Sequence, residues 1–203
     1  MGPEHFESAY QESAPWDVAG PQPAFVELEE AGEIQGDVLD AGCGTGENAL
    51  YLASKGHFSW GLDFIPVAIE RAIAKAHQRG ITAHFQIGDA LELDQLGRAF
   101  DTVIDSGLFH TFGERERGRY VAGLAAIVRP GGRLHILCFS DEEPPGAGPK
   151  RIAKSEIHEA FRDGWDVAQI RAARFQTTDH PEARTFSPGG PRAWLATLTR
   201  ARA

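Results

Sequence analysis

The residues with the clearest chemical potential lie in the segment 40–46, Asp-Ala-Gly-Cys-Gly-Thr-Gly, where three glycines alternate behind an acidic residue. An apolar stretch at 37–40 predicts a strand before it, and 47–55 predicts a helix after it. Glycines at such a turn let backbone N–H groups and the helix N-terminus approach a ligand closely. A dinucleotide fingerprint would need its third glycine at position 47, where Glu47 would repel a pyrophosphate. The segment therefore predicts a site for a ligand with a cationic amino-acid part and no phosphate.

The elements that must hold this turn follow from the rest of the chain. Predicted strands and helices alternate as far as residue 139, with strands at 37–40, 57–63, 82–87, 100–105 and 133–139 and helices at 47–55, 66–79 and 115–128. This alternation predicts a doubly wound α/β fold with a mostly parallel sheet and right-handed crossovers. A helix at 154–161 follows, then strands at 165–175 and 193–199 with no helix between them, which predicts an antiparallel hairpin at the edge of the sheet.

Residues 40–46 resemble the first motif of the class I S-adenosylmethionine-dependent methyltransferases. Other segments match further features of that family: Asp63 at the end of the second strand, Gly-Asp-Ala at 88–90, Phe-Asp-Thr-Val-Ile at 100–104 and Pro-Gly-Gly at 130–132. The resemblance implies a Rossmann-like sheet of seven strands, mostly parallel, with an antiparallel C-terminal hairpin strand.

Three shorter segments are similar to one subgroup of that family. They are Asp-Ser-Gly-Leu-Phe-His at 105–110, Pro-Trp-Asp at 15–17 and Gly-Pro-Gln-Pro at 20–23. Together they resemble the thiopurine methyltransferase-like enzymes, which include thiol and halide methyltransferases and enzymes that methylate heterocyclic toxins such as hydroxyquinolones.

The resemblance implies S-adenosylmethionine as cofactor and a set of residues that bind it. That set is Trp16, Asp40, Gly42, Cys43, Gly44, Gly46, Asp63, Phe64, Asp89, Ala90 and Asp105. Asp63 is expected to accept hydrogen bonds from both ribose hydroxyls, and Asp89 from the adenine amino group. The alternatives are a tight structural turn for the glycines and solvated caps for the aspartates.

The loop after the fourth strand is expected to lie beside the transferred methyl group. Methyl transfer is an in-line SN2 displacement, so the enzyme's main task is alignment. His110 is the candidate general base for a hydroxyl nucleophile, because its ordinary pKa is ~6.5; the alternative is a histidine that packs beside Phe109 and Phe112. Ser106 and Asp105 are expected to shape the methyl or substrate pocket, with a helix N-cap as the alternative.

Residues 1–36 lack a clear strand and predict an N-terminal arm that acts as a lid over the domain of residues 37–203. Within it, Trp16 could close over the sulfonium, whose positive charge is attracted to the face of an indole ring. The alternatives are a hydrophobic anchor for Trp16 and a disordered tail for the whole segment.

Charge and composition restrict the partners. The formal net charge of −9 repels phosphate backbones, so no nucleic-acid partner is expected. Arg115, Arg117 and Arg119 alternate with other residues and predict only a solvated helix start. Cys43 and Cys138 have no metal or disulfide spacing, and no apolar run predicts a signal peptide or a membrane span. We expect a cytoplasmic monomer or homodimer with a small-molecule substrate, no metal and no membrane partner.

The predicted function is transfer of a methyl group from S-adenosylmethionine to an O, S or N nucleophile of a small heteroaromatic molecule. A thiol or halide methyltransferase is one alternative. A non-catalytic S-adenosylmethionine-binding module and a nicotinamide-dependent oxidoreductase are alternatives from other classes, although Glu47 counts against the last.

Overall fold

The computed structural model describes residues 3–12, 14–146 and 148–202. Its strands are β1 (Asp37–Ala41), β2 (Phe58–Asp63), β3 (His84–Ile87), β4 (Phe100–Ser106), β5 (Val128–Phe139), β6 (Trp165–Arg174) and β7 (Arg192–Arg200). Its α-helices are α1 (Pro3–Glu12), α2 (Pro23–Glu30), α3 (Glu47–Ser54), α4 (Pro66–Arg79), α5 (Glu114–Ile127) and α6 (Lys154–Ala160). Short 3₁₀ helices cover Ala90–Leu96, Phe109–Thr111 and Pro181–Thr185.

The seven strands form one sheet in the order β3-β2-β1-β4-β5-β7-β6. The first five strands are parallel, while β7 runs antiparallel to both β5 and β6. The predicted fold class and the closing hairpin are therefore confirmed. From β1 the chain first adds β2 and β3 on one side and then crosses to add β4 and β5 on the other, so the strand order reverses at β1. Ligands of open α/β sheets bind in the crevice at such a switch point.

Both faces of the sheet are covered, as the near-continuous apolar strands require. Consecutive residues of β1 face opposite sides: Val38 belongs to a cluster with α2, and Leu39 to a cluster with α5. Both side chains are buried. This packing fixes the carboxyl ends of the strands, where the candidate site residues lie.

Helix α2 was not predicted, because Gly-Pro-Gln-Pro at 20–23 indicates an interruption of regular structure. The structure instead uses Pro23 in the first turn of the helix, a position that proline favours. Phe25 and Leu28 are buried against the sheet. A truncation through residue 30 would remove both from the core, so a test of the arm must stop before α2.

Among the described residues, none of the helices is both long enough and apolar enough to cross a membrane.

Candidate functional site

The glycine loop (residues 42–46) needs left-handed backbone at three positions. The φ angles are +71° at Gly42, +54° at Gly44 and +84° at Gly46, which stands at the N-cap of α3. At Gly46 a Cβ would also lie 2.7 Å from the Phe85 ring. The turn therefore has a structural need for glycine, and its amides are used within the protein: Gly42 donates to the Leu62 carbonyl and Gly46 to the Cys43 carbonyl.

Asp63 fastens the end of β2 to this loop. One carboxylate oxygen accepts a hydrogen bond from the Gly44 amide (2.9 Å) and the other from the Ile65 amide (2.9 Å). Burial raises the pKa of Asp63, and these amide donors oppose the rise. The predicted ribose-binding carboxylate thus lies beside the glycine loop and holds it in place.

Asp40 is the most unusual group in the site. Its side chain is fully buried, and neither oxygen has a hydrogen-bond partner among the described residues. Burial raises its pKa to about 8, and the nearby carboxylates of Asp105 and Asp63 add to the rise. The Ala49 backbone N–H lies near enough to oppose it, without the geometry of a hydrogen bond. A buried carboxylate without a donor is costly. Asp40 is therefore suited to a cationic donor supplied by a ligand.

Asp105 has its carboxylate occupied by the protein itself. It accepts hydrogen bonds from the amides of Leu108 (2.8 Å) and Phe109 (3.0 Å) and from the Tyr120 hydroxyl (2.9 Å). Burial raises its pKa to about 7, against the effect of these donors. This arrangement favours the capping role that the sequence left open, and it fixes the loop after β4, where Ser106 is half-buried.

The residues after β2 and β3 complete this side of the crevice. Asp89 is exposed and accepts a hydrogen bond from the Leu91 amide (2.8 Å), so it caps the 3₁₀ helix that contains buried Ala90. Phe64 is half-buried and meets the Phe6 ring edge-on at 5.9 Å. Cys43 is buried in the loop as a free thiol.

The arm packs over the glycine loop. Tyr10 is buried, and its hydroxyl lies so close to Gly44 that a Cβ there would be 2.6 Å away. Trp16 donates a hydrogen bond from its indole N–H to that hydroxyl (3.2 Å) and remains 37% exposed. Its ring meets Phe6 edge-on at 5.7 Å. Trp16 thus supports Tyr10 and Phe6 in covering the loop.

Two further contacts fix the arm. The Gln22 side-chain amide donates to the Gln176 carbonyl (3.0 Å) and accepts from the Gln176 amide (2.8 Å), which joins the arm to the connection between β6 and β7. Asp17 accepts a hydrogen bond from the Thr45 hydroxyl (2.5 Å), and Lys75 donates to the same hydroxyl (2.6 Å).

On the other side of the loop after β4, His110 lies in an aromatic enclosure. Its ring is 4.9 Å from that of Phe139 and 5.9 Å from that of Phe175, and Phe186 packs on Phe139 at 5.3 Å. His110 Nδ1 accepts a hydrogen bond from the Phe139 amide (3.0 Å). This bond is unfavourable for the predicted general base, because it occupies the lone pair that would take the proton.

Comparisons with known proteins place this geometry in a family. Residues 38–132 match the family model described as a methyltransferase domain. The chain is 37% identical over 180 residues to 2-heptyl-1-hydroxyquinolin-4(1H)-one methyltransferase of Mycobacteroides abscessus, covering 83% of this chain and 79% of the relative. The chain belongs to the S-adenosylmethionine-dependent methyltransferases.

Two other similarities extend this result. A probable thiol methyltransferase 2 of Arabidopsis thaliana is 29% identical over 151 residues, 73% of this chain and 67% of that protein. A solved structure from work on the conversion of a disulfide bond into a thioacetal group during echinomycin biosynthesis superposes with a TM-score of 0.88 and 38% identity, covering 98% of this chain and 93% of that one.

The residues of this methyltransferase fit its cofactor. S-adenosylmethionine carries an ammonium and a sulfonium, and the buried Asp40 carboxyl group, which has no partner among the described residues, would provide a complementary charge when a bound cation draws off its proton. The left-handed glycines of the loop carry no Cβ between the main chain and a ligand.

Several residues that support the site of this methyltransferase were not predicted from the sequence. Arg117 is 8% exposed, stacked over the Phe109 ring at 5.0 Å, rather than solvated as its charged neighbours suggested. Arg151 lies over the Phe139 ring at 5.4 Å. Tyr10 and Gln22 make contacts that no local pattern indicates. By contrast, Arg117, Tyr120 and Leu124 follow one another at intervals of three and four residues, a spacing that indicates a shared buried face of α5.

Proposed function

We propose that this methyltransferase acts on an O, S or N nucleophile of a small heteroaromatic molecule. The observation that carries the proposal is the aromatic enclosure of His110, Phe139, Phe175 and Phe186 beside the loop after β4. Aromatic rings pack favourably against a flat heteroaromatic substrate. The hydroxyquinolone named for the relative from Mycobacteroides abscessus belongs to the same chemical class.

We assign the cofactor contacts to the side of the crevice that holds Asp40 and Asp63, which we call the acidic side. Asp40 would hold a cationic group of S-adenosylmethionine, the glycine loop would contact its amino-acid part, and Asp63 and Asp89 would contact ribose and adenine. When bound, the cofactor supplies an electrophilic methyl group on a sulfonium. Asp105 acts indirectly, because it holds the loop that separates cofactor from substrate.

The protein groups contribute alignment and exclusion of water. The aromatic enclosure orients the acceptor, and the arm and the β6–β7 connection, joined by Gln22 and Gln176, close the site from two sides. A nucleophile and an electrophile held in line gain rate because their relative motion is already restricted. Excluding water also strengthens the attraction between opposite charges.

An acceptor panel tests this function. The full chain is incubated with S-adenosylmethionine and 2-heptyl-1-hydroxyquinolin-4(1H)-one, a simple phenol, thiophenol or iodide, and S-adenosylhomocysteine formation is measured. We expect the highest kcat/KM with the hydroxyquinolone. No turnover of any acceptor by a protein that binds the cofactor in calorimetry would contradict the proposal and favour the non-catalytic binding module.

A thiol acceptor is the second candidate, and the similarity to the probable thiol methyltransferase of Arabidopsis thaliana favours it. A thiolate is nucleophilic near neutral pH without a general base. Higher kcat/KM for thiophenol than for the hydroxyquinolone in the same panel would select this alternative.

We further propose that the protein acts in the cytoplasm without a nucleic-acid partner, as a monomer or homodimer. The two free, buried cysteines are compatible with a reducing compartment, and the net charge of −9 opposes binding to phosphate backbones. Fractionation of the source cells and light scattering of the purified chain would test these points.

A further inference from the structure

The protonation of the His110 ring follows from a single hydrogen bond. The Phe139 backbone N–H donates to Nδ1 over 3.0 Å. A backbone N–H cannot accept a proton, so Nδ1 is unprotonated and the single proton of the neutral ring lies on Nε2.

The surroundings of His110 keep the ring neutral. Burial lowers its pKa to about 3, and the positive charges of Arg117 on α5 and Arg151 after β5 act in the same direction. At neutral pH the ring therefore presents Nε2–H as a donor, with no free lone pair to receive a proton.

The Nε2 edge of the ring lies against the loop after β4. A Cβ at Gly107, in the loop after β4, would lie 3.4 Å from Nε2, and Nε2 makes no hydrogen bond within the part of the chain that the structure describes. Beside it, the Nε and one terminal nitrogen of buried Arg117 also have no partner among the described residues, although its other terminal nitrogen donates to Glu156 (3.1 Å). Unused donors and the positive charge of Arg117 thus lie in the neighbourhood of the His110 ring.

We propose that His110 binds the acceptor substrate as a hydrogen-bond donor, through Nε2–H to an oxygen or sulfur that is already ionised. This inference rests on the proposed function and narrows it to acidic hydroxy-heteroaromatic compounds and thiols. The acceptor loses its proton to solvent before it reacts. Its lone pair then forms the new bond to the methyl carbon, while the electron pair of the breaking carbon–sulfur bond stays on sulfur.

Two substitutions at one position separate the possible roles. His110→Asn keeps an acceptor oxygen near the Nδ1 position, for the Phe139 amide, but has no group at the Nε2 position. His110→Gln can place an amide N–H near the Nε2 position but loses the Nδ1 acceptor. Neither side chain can act as a base. His158→Asn, at an exposed position, is the matched control.

The variants are loaded with S-adenosylhomocysteine and titrated with 2-heptyl-1-hydroxyquinolin-4(1H)-one, whose ionisation is followed by absorbance. A hydrogen bond to a charged acceptor predicts about 10- to 100-fold weaker binding of the anion to His110→Asn. The pKa of the bound probe should rise correspondingly, and His110→Gln should stay within about 5-fold of the wild type. Retained anion binding in His110→Asn with loss in His110→Gln would show a purely structural ring. Intact anion binding in both variants with lost turnover would show a base. Either result overturns the proposal.

A measurement made without any acceptor substrate tests the protonation of His110 independently of which substrate the enzyme uses. In protein labelled with ¹⁵N-histidine, the His110 signals, identified by their loss in His110→Asn, should report the Nε2–H form and should not titrate between pH 5 and 8. An Nδ1–H form, or titration near pH 6.5, would overturn the inference whatever the substrate. Failure of the wild type to bind the hydroxyquinolone would refute the proposed substrate alone, and the ¹⁵N spectrum would then decide the role of His110.

Discussion

The two sides of the crevice differ in charge. On the side of β1 and β2, Asp40 and Asp63 are buried carboxylates beside the glycine loop. On the side beyond β4, neutral His110 lies among phenylalanines, and its pKa is lowered by burial and then by the charges of Arg117 and Arg151. One side therefore suits a cation and the other suits an apolar anion.

This difference matches the chemistry of methyl transfer. A cationic sulfonium and an anionic nucleophile react to give two products in which both charges are gone. Charges that disappear in the reaction are solvated less strongly in a closed site than in water, so a dry crevice favours the reaction if it can still bind the ions. Carboxylates on one side and donors on the other allow both ions to bind.

The largest effect is expected from a substitution on the acidic side. Asp63→Ala removes the proposed acceptor for two cofactor hydroxyls, together with the bonds from the Gly44 and Ile65 amides. With charge-assisted bonds at ~1.5–3 kcal/mol each, the dissociation constant for S-adenosylmethionine should rise at least ~10-fold. Calorimetry measures it, with the exposed Asp163→Ala as control. An unchanged constant in the folded variant would refute the ribose role of Asp63.

The second prediction concerns the pH dependence of stability without cofactor. The folded pKa values of Asp40 and Asp105, about 8 and about 7, exceed the unfolded value of ~3.9. The folded state therefore holds extra protons, and their stabilising effect is lost as pH rises through those values. His110 and His135, with pKa values lowered to about 3, act oppositely, but only below the unfolded histidine pKa of ~6.5.

Between pH 6.5 and 8.5 the aspartates contribute most, while the residual titration of the unfolded histidines and cysteines acts in opposite directions. The free energy of unfolding should therefore fall by roughly 2 kcal/mol. Urea denaturation measures this fall, and Asp40→Asn should remove most of it. Because the cofactor is cationic, its affinity should rise over the same interval. A wild-type stability that increases from pH 6.5 to 8.5 would contradict the assignment of buried, protonated aspartates.

The third prediction concerns only the side of the crevice that holds His110 and the phenylalanines, which we call the aromatic side. Phe175→Ala removes a ring that packs on both His110 and Phe139. A lost aromatic contact of about 1.5 kcal/mol should raise KM for the hydroxyquinolone by about 10-fold. The dissociation constant for S-adenosylmethionine should stay within about 2-fold, which steady-state kinetics and calorimetry would show together. Phe58→Ala, an exposed phenylalanine at the start of β2, is the control. An equal loss of cofactor affinity would mean that the two sides are not independent.

The acidic side was predictable from sequence, whereas much of the aromatic side was not. Asp40 and the glycines of 42–46 form one local pattern whose geometry follows from adjacent residues. The His110 proton depends instead on the amide of Phe139, 29 positions away, and the closure of the arm depends on Gln22 meeting Gln176 across 154 positions. Such pairs arise from tertiary packing, which single-sequence periodicity does not report. Asp105 shows the intermediate case, since its type and position were predicted while the donors that occupy it include the distant Tyr120 hydroxyl.

The smallest expected effect concerns the arm, which is joined to both sides. Deleting residues 1–12 removes α1, including Phe6 and Tyr10, but leaves Gln22 and the buried helix α2 in place. We expect a folded domain, because the main core clusters do not include α1. If α1 covers bound cofactor, its loss should speed cofactor dissociation and weaken affinity about 3- to 10-fold. Stopped-flow dissociation measures the rate, and Tyr10→Phe isolates the hydroxyl above Gly44. A truncated protein that releases the cofactor at the wild-type rate would refute the lid. If cofactor dissociation were unchanged and only acceptor binding were weaker, α1 would belong to the aromatic side instead.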